Sequence, residues 1–236
     1  MAARKYMGFY DNGDYRVGCS GATVYVFDQS GAELCRFRDT PYIYSGAFQP
    51  GTNLFAAKSV RGYLAVYDPD RKTLKHKITL THRTAHDEGF AFSPDGKLFY
   101  DIDHYRPFRT RLVLYDTEDY TVKATLFSDD PTVFLTYIEF SPKTGLCYIL
   151  GYDRDPISNV GENGFIGILE GNTIREKRLI GSSKWFSLQS YQNWEKSGFT
   201  ERAYSILRSV RPNAAANPLL TLENIHRGPV STDSLQ

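Results

Sequence analysis

Long apolar runs are missing from this 236-residue chain, and none nears the roughly 18 residues a membrane-crossing helix needs. Cysteine is scarce. Cys19, Cys35 and Cys147 are odd in number and have no paired spacing, which excludes a disulfide framework and a paired-cysteine metal motif. Three isolated thiols read as reduced side chains in a reducing compartment. The opening Met-Ala-Ala-Arg-Lys-Tyr has positive charge but no apolar segment behind it, so no secretory signal is read and a cytoplasmic location is expected. An excess of one charge is lacking too. The 28 Lys and Arg nearly balance 27 Asp and Glu, a formal net charge of +1. That removes the electrostatic signature of nucleic-acid binding and of docking on an anionic membrane. What is plentiful is aromatic: 17 Tyr and 15 Phe against 2 Met, a skew toward residues that suit strands. Hydrophobic residues make up 41%, enough for a core and against wholesale disorder.

A repeat runs through most of the chain. Its first marker is an aromatic followed by a tight polar turn: Phe9-Tyr10-Asp11-Asn12-Gly13, Phe48-Gln49-Pro50-Gly51, Phe92-Ser93-Pro94-Asp95-Gly96 and Phe140-Ser141-Pro142-Lys143-Thr144-Gly145. Its second is an apolar residue and an acid that close a strand: Phe27-Asp28, Tyr67-Asp68, Tyr115-Asp116 and the weaker Leu169-Glu170. The aromatic recurs after 39, 44 and 48 residues, which fits units of four short strands. Within a unit, strand a ends at the aromatic, b follows the turn, c runs to the acid and d follows a second turn. The third unit places b at Leu98-Phe99-Tyr100 and c at Leu112-Val113-Leu114-Tyr115. The fourth places b at Cys147-Tyr148-Ile149-Leu150 and c at Phe165-Ile166-Gly167-Ile168-Leu169. Strand d of the second unit alternates apolar and basic residues, as an outer strand with one wet face does.

These residues resemble the WD-repeat-like, YVTN-type β-propeller family. The Phe-Ser-Pro-Asp-Gly-Lys stretch at 92–97 is similar to that family's a–b turn, and Val66-Tyr67-Asp68 and Leu114-Tyr115-Asp116 are similar to its strand c ending. The likeness covers roughly residues 5–181 and departs from true WD repeats, since no Trp-Asp closes a strand and no Gly-His opens a unit. It implies an all-β fold: a small β-propeller with four four-stranded blades, about 5–40, 41–84, 85–130 and 131–181. Propellers host enzymes, scaffolds and binders alike, so the resemblance implies a fold far more than an activity.

The tail, 182–236, admits two main organisations. In one it is a partly helical appendage. Phe199, Ala203, Ile206, Leu207 and Val210 share a face at helical spacing, Thr200 is a possible N-cap, and Pro212 stops the run. In the other it is a divergent fifth blade with strands at 185–189, 204–210 and 219–225. An open array closed by dimerisation is a third arrangement, though it would expose a strand edge. Monomer and homodimer both remain open. Much of 211–236, rich in Asn and Pro, is expected to be irregular.

Unit length is added unevenly. From the strand-a aromatic to the strand-c acid the distance grows from 19 residues in the first unit to 30 in the fourth, while the a–b and c–d turns stay tight. The growth is therefore expected in b–c and d–a loops, which share one end of an antiparallel unit. Those loops hold His82, Arg83 and His86 after the second unit. They hold His104, Tyr105, Arg106, Phe108 and Arg109 in the third, and Asp153 and Asp155 in the fourth. Tyr, Arg and Phe on a protruding segment are enriched at protein interfaces. The alternative is that these are ordinary solvated loops.

His82 and His86 have the i,i+4 spacing of a helical metal pair, but no Glu follows His82 and the segment reads as loop. Asp153 and Asp155 with Asn159 and Glu162 fail the calcium-loop pattern at Ile157. No Gly-x-Ser-x-Gly occurs, and Asp101, Asp103 and His104 read as strand-end solvation. No catalytic residue, metal ligand or cofactor is assigned. The expected function is non-enzymatic: a protein-binding module, of scaffold or immunity type, that engages a protein partner through the b–c/d–a end. The competing class is a metal-dependent propeller hydrolase or lactonase.

Overall fold

A computed structural model describes residues 6, 8–80, 89–106, 109–155, 157, 161–182 and 222–227. Apart from one short helix, the described residues are all-β, with four four-stranded antiparallel sheets taken in sequence order. The first contains β1 (Gly8–Asp11), β2 (Arg16–Ser20), β3 (Thr23–Phe27) and β4 (Glu33–Phe37). The second contains β5 (Ile43–Phe48), β6 (Phe55–Ser59), β7 (Tyr63–Asp68) and β8 (Thr73–Thr79). The third contains β9 (Phe90–Phe92), β10 (Leu98–Arg106), β11 (Arg109–Asp116) and β12 (Val122–Leu126). The fourth contains β13 (Val133–Phe140), β14 (Cys147–Arg154), β15 (Gly161–Glu170) and β16 (Thr173–Ser182). Each strand pairs with the next in the chain, the up-and-down order the repeat markers imply.

The markers are turn devices. At the end of strand c, the Asp28 carboxylate accepts the Ser30 hydroxyl and the Ala32 N–H. Asp68 takes the Arg71 N–H and Asp116 the Glu118 N–H. An acid here closes the turn locally, so it recurs. At the a–b turn, Asp95 accepts the Ser93 hydroxyl at 2.6 Å and the Lys97 N–H at 3.1 Å. Gly96 takes φ +70°, and a Cβ on it would lie 2.5 Å from the Pro50 carbonyl oxygen. Only glycine suits both demands.

Backbone packing divides the chain into two compact units. The first comprises 1–88, 92–99 and 115–121; the second comprises 89–91, 100–114 and 122–236. In the first, Val17, Cys19, Val24, Val26, Phe37, Ile43, Phe55, Ala57, Ala65 and Tyr67 form a buried core. Phe37 and Tyr67 stack within it at 4.5 Å. β8 keeps the alternation expected of an outer strand, with Thr73, Lys75, Lys77 and Thr79 exposed. In the second, Ile102, Leu112, Leu135, Ile138, Ile149 and Phe165 are buried together. Each such side chain contributes about 1.5–3 kcal/mol.

The other face of the fourth sheet carries Tyr137, Tyr148, Leu150 and Ile166, and Leu222 completes this cluster. Leu222 begins α1 (Leu222–Arg227). Six residues cannot hold a helix alone. Here the Leu222 N–H donates to Glu139 at 3.3 Å, and the Ser141 hydroxyl bonds the buried Glu223 carboxylate. Arg178 Nη1 donates to the His226 carbonyl at 2.7 Å. The strand considered at 219–225 is therefore helix from 222, and the irregular stretch expected over 211–236 contains an ordered turn of helix. The helix expected at 199–210 lies outside the described residues. Among the described residues no helix is long and apolar enough to cross a membrane.

The third and fourth units correct the expected loops. Residues 101–106 continue β10, and Arg109 already opens β11. Asp153 and Arg154 end β14, and Glu162 and Asn163 belong to β15. The added length lies largely in longer hairpins, because aromatic and β-branched residues alternate with the charged ones and tertiary partners take up charges such as those of Asp103 and Asp153.

Candidate functional site

In an antiparallel sheet the b–c hairpin and the d–a connection share one end. At this end β2–β3 and β6–β7 are short hairpins, with strands of five or six residues. β10–β11 and β14–β15 use strands of eight to ten. Both long hairpins belong, at this end, to the second unit.

The β12–β13 connection ties them together. The Tyr105 hydroxyl donates to the Ser128 carbonyl. Asp130 folds the connection by accepting the Thr132 N–H at 2.8 Å and hydroxyl at 2.6 Å. The Arg154 N–H then donates to the Thr132 carbonyl at 2.7 Å, and Arg154 Nε to the Pro131 carbonyl at 3.2 Å. The Leu135 N–H donates to the Thr110 hydroxyl at 2.7 Å.

Charge inside this end is unevenly neutralised. Asp101 and Asp103, both buried, sit within β10 rather than at a wet strand end. Asp103 pairs with Arg111 Nε at 2.7 Å, and the Arg111 guanidinium lies 4.7 Å from the Tyr105 ring centroid. Asp153 pairs with Lys177 at 2.8 Å, and Lys177 sits over Phe165. Arg154 is 3% exposed, yet its Nη1 and Nη2 have no hydrogen-bond partner among the described residues. Burial pulls its pKa below the ordinary arginine value, and the neighbouring Arg109 charge pulls the same way; Tyr152 and Tyr105 act in the opposite sense. The aromatic side of the end is a run of rings: His104 meets Phe134 edge-on at 5.1 Å, and Phe134 stacks on Tyr152 at 4.7 Å. Asp155 accepts the Ile157 N–H at 2.8 Å, and Ile157 is 90% exposed.

Of the candidate residues, His104, Tyr105, Arg109, Asp153 and Asp155 come to this one end of the second unit. His104, Tyr105, Arg106 and Asp153 are strand residues, not loop residues, and Arg109 begins a strand. His82, Arg83, His86 and Phe108 lie outside the described residues. Arg154 was missed by sequence reasoning because Asp153-Arg154-Asp155-Pro156 reads as loop. The signal that could have found it is period-two continuation of β14: Tyr148, Leu150, Tyr152, Arg154.

The end offers arginine and hydroxyl donors, aromatic faces and an exposed apolar tip. Among the described residues no group of three or more His, Cys, Asp or Glu could hold a metal ion. The Cys147 thiol, in the core below, is pushed up to about 12 by burial, which makes it a poor nucleophile. No known family model and no curated protein matches this chain.

Proposed function

We propose that this chain is a small β-propeller of WD-repeat-like units that serves as a non-enzymatic binding module. It engages a protein partner through the b–c/d–a end of its third and fourth repeats. Four consecutive up-and-down sheets, three of them closed at the c–d turn by an Asp carboxylate, support the propeller reading. The observation that carries the binding reading is selective elongation. Two hairpins in the second unit outgrow their counterparts and bring Tyr105, Arg109, Arg154 and exposed Ile157 to one end. Aromatic and arginine residues on a rigid scaffold are the usual anchors of an interface.

The test is affinity capture from the native host by the wild-type chain, by Arg109→Glu and by Lys143→Glu. Lys143 is exposed in the a–b turn at the opposite end of the fourth sheet. The reading expects one partner to be lost with Arg109→Glu and kept with Lys143→Glu, with both variants retaining the strand circular-dichroism spectrum of the wild type. Equal capture by all three refutes it.

A further inference from the structure

A guanidinium withdrawn from water is costly unless its donors are paired. Arg154 is 3% exposed and satisfies only Nε, through the Pro131 carbonyl. Its Nη1 and Nη2 have no partner among the described residues. Half-buried Arg109, at the start of β11, adjoins Thr110, which accepts the Leu135 N–H three residues from the Thr132 carbonyl that Arg154 bonds, and its positive charge acts on Arg154. The nearby acids are engaged elsewhere. Asp103 is held by Arg111, Asp153 by Lys177, and Asp130 by the Thr132 N–H and hydroxyl. Among the described residues no carboxylate is in ion-pair contact with Arg154 or Arg109. Two like charges at the head of a packed hairpin pair are retained at a cost, and a counter-charge brought from outside removes it.

We propose that Arg154 and Arg109 form an oxyanion-binding site, and that its occupant is a carboxylate of an acidic segment of the partner protein. The identity of the source rests on the binding reading above; the site itself rests on the unpartnered guanidinium. The Nη1 and Nη2 edge of Arg154 is a planar fork that matches the two oxygens of a carboxylate, and phosphate offers the same geometry. Arg109 supplies the second charge. Because both Nη atoms are enclosed, binding requires displacement of the atoms packed around them.

The experiment follows arginine side-chain nitrogen resonances of the full chain during titration with tri-glutamate or inorganic phosphate. Sodium chloride at equal ionic strength is the control. Tri-glutamate is expected to shift the Arg154 resonances and raise the melting temperature, with chloride doing neither. Arg109→Gln, at a half-buried position, should weaken tri-glutamate binding roughly tenfold while the fold is kept. Arg154→Lys, which keeps the charge but removes the fork, should weaken it comparably. A response to phosphate and not to tri-glutamate supports the oxyanion site and assigns phosphate as its source. No response beyond chloride to either probe, or full affinity in Arg109→Gln, overturns the site. If the site responds but partner capture is unchanged in Arg109→Glu, the binding reading fails and the site stands. If capture is lost with no oxyanion response, the site fails and the binding reading stands.

Discussion

Two glycines in equivalent a–b turns should respond differently to the same substitution. Gly51 has φ +73° and nothing within 4 Å of where a Cβ would stand. Gly96 has φ +70°, but its Cβ would lie 2.5 Å from the Pro50 carbonyl oxygen. Gly51→Ala therefore carries only the left-handed backbone cost, about 1 kcal/mol. Gly96→Ala carries that cost and must also shift the turn away from Pro50. The Gly96 carbonyl accepts Gln49 Nε2 at 2.8 Å and the Thr117 hydroxyl at 2.7 Å. A shift large enough to relieve the contact weakens both, at about 1 kcal/mol each. The total is then about 3 kcal/mol, a gap of about 2 kcal/mol between the variants. Urea unfolding resolves this. With a slope near the top of the usual range of about 1–3 kcal/mol/M, the midpoints should differ by roughly 0.7 M. Equal midpoints would refute the reasoning, because they would mean the close approach of 96 to Pro50 carries no energy.

Acid should weaken the turns. Hydrogen bonds hold the Asp28 and Asp95 carboxyls below the ordinary 3.8, first from the Ser30 and Ser93 hydroxyls and then from backbone N–H groups. A lowered folded pKa gives stability that is complete above the unfolded value near pH 4 and lost as pH falls through the lower folded value. The urea midpoint should drop below about pH 4, and drop less in the double Asp→Asn variant; parallel curves would contradict this. The buried Cys19 and Cys147 thiols are pushed up to about 12 by burial, while Cys35 is half-buried. A thiol reagent near neutral pH should label Cys35 first in the native chain and all three only after denaturation; early labelling of Cys19 would contradict the core assignment. Leu222→Ala should cost about 2 kcal/mol, the low end for a buried leucine, since a helix end can relax. An unchanged urea midpoint would show that α1 does not cover Tyr148 and Leu150.

Local chemistry was legible along the chain. Asp at the end of strand c and Gly at the a–b turn act within a few residues of themselves, so sequence spacing alone located four units and their strand order. The site was half legible. Tyr105, Arg109 and Asp153 were recognised as candidate interface residues. Their strand conformation was not, because Asp, Arg and His between aromatics read as loop until a partner for each charge is known. Arg111 for Asp103 and Lys177 for Asp153 are 8 and 24 residues away. Such pairs leave no period in the sequence.

The amino-acid order by itself located the four described sheets, their meander and the turns that close them, because each of those depends on neighbours in the chain. Only tertiary structure decided how far the later hairpins extend, that Leu222 begins a helix, and that Arg154 is buried with Nη1 and Nη2 unpaired among the described residues. Those outcomes depend on which distant atoms desolvate a side chain and which of them offer it a partner.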